Sequence, residues 1–142
     1  MIGILLVTHN GLGDSLADCA RHVLGNIPPN LKVLSVWADD NLQRKEEEAR
    51  ALVTQLDTGD GVLLLADVFG ATPCNIARQL CQPGRVEGVA GVNLPMLLRA
   101  VCYSSKPLAE VAQKVLEGAR ECIIPMDSDM DKCNVATGCA DN

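Results

Sequence analysis

Aromatic side chains are almost missing: Trp37, Phe69 and Tyr103 are the only three in 142 residues. The core must then be built from Leu, Val, Ile and Ala, which suit parallel strands covered by helices on both faces. Basic charge is also short, with 12 Lys and Arg against 18 Asp and Glu and a net charge of −6. No basic stripe is available to neutralise phosphates, so nucleic acid is not an expected partner; a basic protein partner stays open. No apolar run approaches the roughly 20 residues of a membrane span. The opening residues carry no basic segment, and the apolar run 2–7 is too short for a secretory h-region. The seven cysteines are an odd number without a C-x-x-C pair. A reduced, cytoplasmic protein is expected, with Cys19, Cys74, Cys81 and Cys102 as small core residues and no metal site of zinc type.

What is present is a repeated alternation. "IGILLV" (2–7), residues 31–37, "VLLLA" (62–66) and the glycine-containing "VEGVAGV" (86–92) read as strands. Between them, Leu16, Cys19, Ala20, Val23 and Leu24 recur at helical spacing. So do Leu42, Ala49, Leu52, Val53 and Leu56, then Ile76, Ala77, Leu80 and Cys81. "RKEEEAR" falls on the solvated face of the second helix. Asp14 or Ser15, Asp39 or Asp40, and Thr72 are the candidate caps of the first three helices, with Pro73 at the first helical position. Residues 95–101 and 108–119 predict two further helices, and 122–124 offers a short antiparallel edge strand. From 126 to 142 the chain is acidic, polar and aperiodic, which predicts a disordered tail. The expected fold is therefore α/β over residues 1–125: an open, doubly wound, mainly parallel sheet of four strands with helices on both faces.

In such sheets ligands bind beyond the carboxyl ends of the strands, and the unusual polar residues fall there. Strand one ends in Thr8-His9-Asn10, strand three in Asp67. If those strands are neighbours, Asp67 can take the N–H of one His9 ring nitrogen and leave the other free to attack. Two helix starts lie close in sequence. "NGLGD" includes Gly11 and Gly13, which let a backbone approach a ligand. "GATPCN" brings amides, the Thr72 hydroxyl and the positive end of a helix. Together they describe a nucleophilic histidine beside an anion site. His22, in mid-helix, receives no role.

Three other readings compete. A dinucleotide fold would place glycine where Leu16 stands, and a second half is missing. A phospho-acceptor receiver would need more carboxylates near Asp67 to hold Mg²⁺ than Thr8 and His9 provide. A non-catalytic sensor of a small metabolite in the same crevice is not excluded.

"GILLVTHNGLGDSL", "GVLLLADVFGATPCNIA" and "AGVNLPMLLRA" together resemble three motifs of a known family. It is the enzyme IIA domain of the mannose/fructose family of the bacterial phosphoenolpyruvate-dependent sugar phosphotransferase system, and the resemblance covers roughly residues 1–125. It implies that His9 accepts a phosphoryl group from the histidine phosphocarrier protein HPr, through the ring nitrogen farther from the backbone. The group then passes to a IIB partner. Asp67 is implied as the orienting carboxylate, with Gly11, Gly70, Ala71, Thr72 and Asn75 around the phosphate and no cofactor. A homodimer is implied, in which the last short strand can be exchanged between subunits, with membrane contact only through a transporter complex. Three residues depart from the family pattern. Asn10 stands where glycine usually follows the histidine, and Ala71-Thr72 replaces Gly-Ser before the proline. Asparagine tolerates positive φ better than most residues.

Overall fold

The structure, a computed structural model, describes residues 1–127. Its first strand, β1 (Gly3–His9), is buried along all but its last residue. A strand in that position needs a partner on each edge and a layer on each face. Its edge partners are β2 (Leu31–Val36) and β3 (Val62–Ala66), both parallel. Strand β4 (Val86–Ala90) lies beyond β3, also parallel, so the order is β2-β1-β3-β4. The helices are α1 (Leu12–Leu24), α2 (Leu42–Leu56), α3 (Thr72–Leu80), α4 (Leu94–Cys102) and α5 (Leu108–Glu121).

The pleat sorts the apolar runs into two cores. Ile4, Leu6, Leu63 and Leu65 point to one face and pack with Ala17 and Ala20 of α1, Met96 to Leu98 of α4, and Val111 and Val115 of α5. Leu5, Val7, Val62 and Leu64 point to the other, against Ala49 and Leu56 of α2 and Ile76, Ala77 and Leu80 of α3. Each fully buried Leu, Val or Ile contributes about 1.5–3 kcal/mol. That double burial is why these strands read as continuous apolar runs rather than alternating ones.

Several local expectations are corrected. In α1 the ridge facing the sheet is Gly13, Ala17 and Ala20, so Cys19 and Val23 are exposed. Leu42 is exposed too, because it opens α2 ahead of the first turn that reaches the sheet. Cys81 is exposed at the end of α3. Cys102 closes α4 at the margin of the core. No side chain of α1 caps it: Gly11 stands at the N-cap, and the first-turn amide of Gly13 goes to Thr8 instead. Asn41 caps α2 by accepting the Arg44 amide at 3.0 Å. Asp40 is occupied by the Trp37 amide at 2.7 Å. Ala71, not Thr72, is the N-cap residue of α3. Asn93 caps α4 by accepting the Met96 amide at 2.9 Å, which gives the "GVNLPM" segment a structural task.

Residues 122–124 form no strand. Among the described residues the sheet has four strands, and this segment is not one of them. Met126 and Asp127 are exposed in a turn, and the rest of the expected tail, 128–142, lies outside the described residues.

Candidate functional site

The chain leaves β1 toward β2 on one side of the sheet and leaves β3 toward β4 on the other. The crevice of the fold therefore opens where the carboxyl ends of β1 and β3 lie side by side. His9 is the last residue of β1 and Asp67 follows β3.

The two touch. Asp67 Oδ2 lies 2.7 Å from His9 Nδ1 and also accepts the His9 backbone amide at 2.8 Å, while Oδ1 accepts the Val68 amide at 2.9 Å. Burial by itself raises the Asp67 pKa. The His9 amide and ring and the Val68 amide outweigh it and hold the carboxyl below its ordinary range. An ionised carboxylate only accepts, so Nδ1 carries the proton and the lone pair of a neutral ring sits on Nε2. No described protein atom bonds Nε2. The Asp67 side chain is 9% exposed and that of His9 45%, so the orienting group is covered and the ring is open to a partner.

The backbone around His9 is held as firmly as its ring. The amide of Asn10 donates to the Val36 carbonyl at 3.0 Å, and Asn10 takes a positive φ of 50°. Thr8, fully buried, accepts the Gly13 amide on its hydroxyl at 2.8 Å and so ties the start of α1 to β1. On the other side Gly70 has φ 90°, a value that favours glycine, and reverses the chain between Asp67 and α3. Ala71 is extended at φ −93°, so alanine there carries no backbone strain. With Pro73 lacking an N–H, the first-turn amides of α3 without an intrahelical partner are those of Thr72 and Cys74. The Asn75 amide already donates to Ala71 at 2.9 Å.

An open hollow of about 490 Å³ lies over this point. Of the expected site residues, His9 and Thr72 line it; Asp67, Gly11, Gly70, Ala71 and Asn75 are not among its lining residues. The rest of the lining, Asn10 apart, comes from the end of β2 and the start of α2: Val36, Trp37, Ala38, Asp40, Leu42 and Lys45. Sequence reasoning gave these residues no part in the site. Trp37, half exposed at a strand end, was the one available signal. His22 lies exposed on α1, outside the lining. Among the described residues, no three of His, Cys, Asp and Glu gather to hold a metal ion.

Residues 3–117 match the family model described as PTS system fructose IIA component. The chain belongs to this family. Among related IIA proteins, it is 33% identical over 101 residues to the mannose-specific EIIAB component of Escherichia coli K12, a match covering 70% of this chain and 31% of that protein. The chain thus matches about a third of the length of that two-part relative. It is 28% identical over 102 residues to the fructose-specific EIIA component of Bacillus subtilis, covering 71% of this chain and 69% of the other. The IIA fold recurs in the EIIA component from Streptococcus agalactiae, at a TM-score of 0.79 and 22% identity, over 88% of this chain and 97% of that one. It recurs in the mannose/sorbose-specific IIA subunit from Enterococcus faecalis, at 0.78 and 22%, over 91% and 97%. Among the described residues of this IIA chain no helix is long and apolar enough to cross a membrane.

Proposed function

We propose that this IIA chain is a cytoplasmic phosphocarrier of a sugar phosphotransferase system, taking a phosphoryl group from HPr on His9 and passing it to a IIB protein or domain. The observation that supports the reading is a pair of hydrogen bonds on one oxygen: Asp67 Oδ2 accepts from both Nδ1–H and the amide of His9, leaving Nε2 as the free ring nitrogen. In the forward step the N–P bond of the donor's phosphohistidine breaks as the Nε2–P bond forms. The donor's imidazole leaves with the electron pair of its bond, and the Nδ1 proton of His9 stays against Asp67. The imidazolium-like charge that develops on the His9 ring is stabilised by the carboxylate. Phosphoryl transfer asks mainly for such positioning and charge stabilisation.

In this reading Gly11, Gly70, Ala71, Thr72 and Asn75 surround the phosphoryl group, with the first-turn amides of α3 and the Thr72 hydroxyl as donors. Residues 1–125 act as one IIA unit, and the working form is a homodimer. The family and the relatives' names support a place in sugar phosphotransfer, but a IIA unit does not select the sugar.

The test is labelling of the full chain by phosphoenolpyruvate, enzyme I and HPr, with intact mass and mapping of the modified residue. One phosphoryl group on His9, and none in His9→Ala, is expected. Strong labelling of His9→Ala rejects the assignment. The hollow beside His9 also favours a second reading, a metabolite sensor. A sensor would bind a small ligand in calorimetry and resist labelling.

A further inference from the structure

Lys45 sits in the acidic, hydrophilic run of α2 that the sequence assigns to the solvated face, yet its side chain is only 19% exposed. It lines the same hollow as His9, Asn10 and Thr72. Among the described residues of that lining it is the one side chain with a permanent positive charge. Its ammonium is held by two carboxylates, Glu48 Oε2 at 3.2 Å and Asp40 Oδ2 at 3.7 Å.

These contacts do not account for Lys45 as a stabilising element. A partly exposed ion pair is worth about 0–1 kcal/mol. The near oxygen of Asp40 is already committed to the Trp37 amide, and the Glu48 side chain is 53% exposed. Neither pair holds the ammonium firmly, so it can move to a stronger anion in the hollow. A phosphoryl group on Nε2 would bring about 1.5 to 2 negative charges into the hollow. The ammonium, on a flexible four-carbon stem, would exchange Glu48, which returns to water at little cost, for a phosphoryl oxygen.

We propose that Lys45 is the cation of this site: it donates to the phosphoryl group carried by His9, favouring its arrival and prolonging its stay. The inference rests on the phosphocarrier reading and adds a residue outside the motifs that carry the family resemblance.

The experiment uses the full chain, as wild type, Lys45→Met and Lys45→Arg, in the phosphoenolpyruvate, enzyme I and HPr assay. It follows the initial labelling rate, the hydrolytic lifetime of the isolated phosphoprotein, and the dependence of the rate on salt. Losing one charge-assisted hydrogen bond should slow labelling of Lys45→Met by roughly tenfold. Its phosphohistidine should be shorter-lived and its rate less sensitive to salt, because screening acts on the missing charge. Lys45→Arg should recover most of the rate, and thermal melting should show all three folded. Labelling and lifetime of Lys45→Met equal to wild type, in a folded protein, overturn the role of Lys45 and leave the phosphocarrier reading standing. An unlabelled wild type overturns that reading, and the role of Lys45 falls with it. A Lys45→Met chain that melts early but keeps the wild-type salt dependence marks the lysine as structural and also overturns the inference.

Discussion

The hydroxyl of Thr8 receives the amide of Gly13 at 2.8 Å, and a Cβ placed on Gly13 would stand 2.7 Å from that same oxygen. The contact fixes the start of α1 against the end of β1, one residue before His9. A methyl group there would also meet Val33 Cγ1 at 2.7 Å, so the helix can yield only by moving away from both β1 and β2.

Gly13→Ala should therefore destabilise the protein by about 1–3 kcal/mol, the usual cost of overpacking, and slow labelling of His9 as the loop 9–11 is displaced. Urea unfolding and the labelling rate measure the two effects. Unchanged stability would mean that α1 shifts freely and that the Thr8 bond has no hold on the site.

Removing the carboxylate of Asp67 takes away the group that orients the His9 ring. Asp67→Ala should slow labelling roughly 10–100-fold, by analogy with lost partners of metal-bound imidazoles, and should cost about 1–3 kcal/mol by leaving the His9 and Val68 amides unpaired, in a protein that thermal melting still shows folded. Nitrogen NMR of the neutral His9 ring gives the sharper check. The proton should reside on Nδ1 in the wild type and spread to Nε2 in the variant. A wild-type ring protonated on Nε2 would contradict the mechanism.

Asp57, at the opposite end of the sheet, governs stability in acid. The Gly59 amide is the strongest influence lowering its pKa; burial opposes it, and the Gly61 amide and the Arg85 guanidinium add to the lowering. A folded pKa below the unfolded one gives stabilisation that is present above the unfolded value, near 4, and is lost as pH falls through the folded value. Asp57→Ala should cost about 1–3 kcal/mol at neutral pH by leaving two amides unpaired. The gap to wild type should close as pH drops below about 4. Urea unfolding across pH checks this, and a gap that stayed constant would show that the carboxylate charge is not what is used.

What could be read from the amino-acid order was whatever depends on near neighbours. The runs 2–7 and 62–66 announced themselves as strands because both their faces are buried. Pro73 and the glycines marked the turns, and Asn10 stood ready for a positive φ. His9 and Asp67 were legible as a pair because strands one and three are commonly neighbours in doubly wound sheets, whose parallel strands bring their carboxyl ends to one edge.

The tertiary structure alone decided which ridge of each helix meets the sheet. Apolar residues lie on more than one side of α1 and α2, so spacing could not show that Cys19, Val23 and Leu42 would face outward. It alone swung Lys45 into the hollow over His9, because a side chain's surroundings are set by segments far away in the chain. Backbone periodicity is a property of a few successive residues, whereas burial and charge pairing belong to the packed whole.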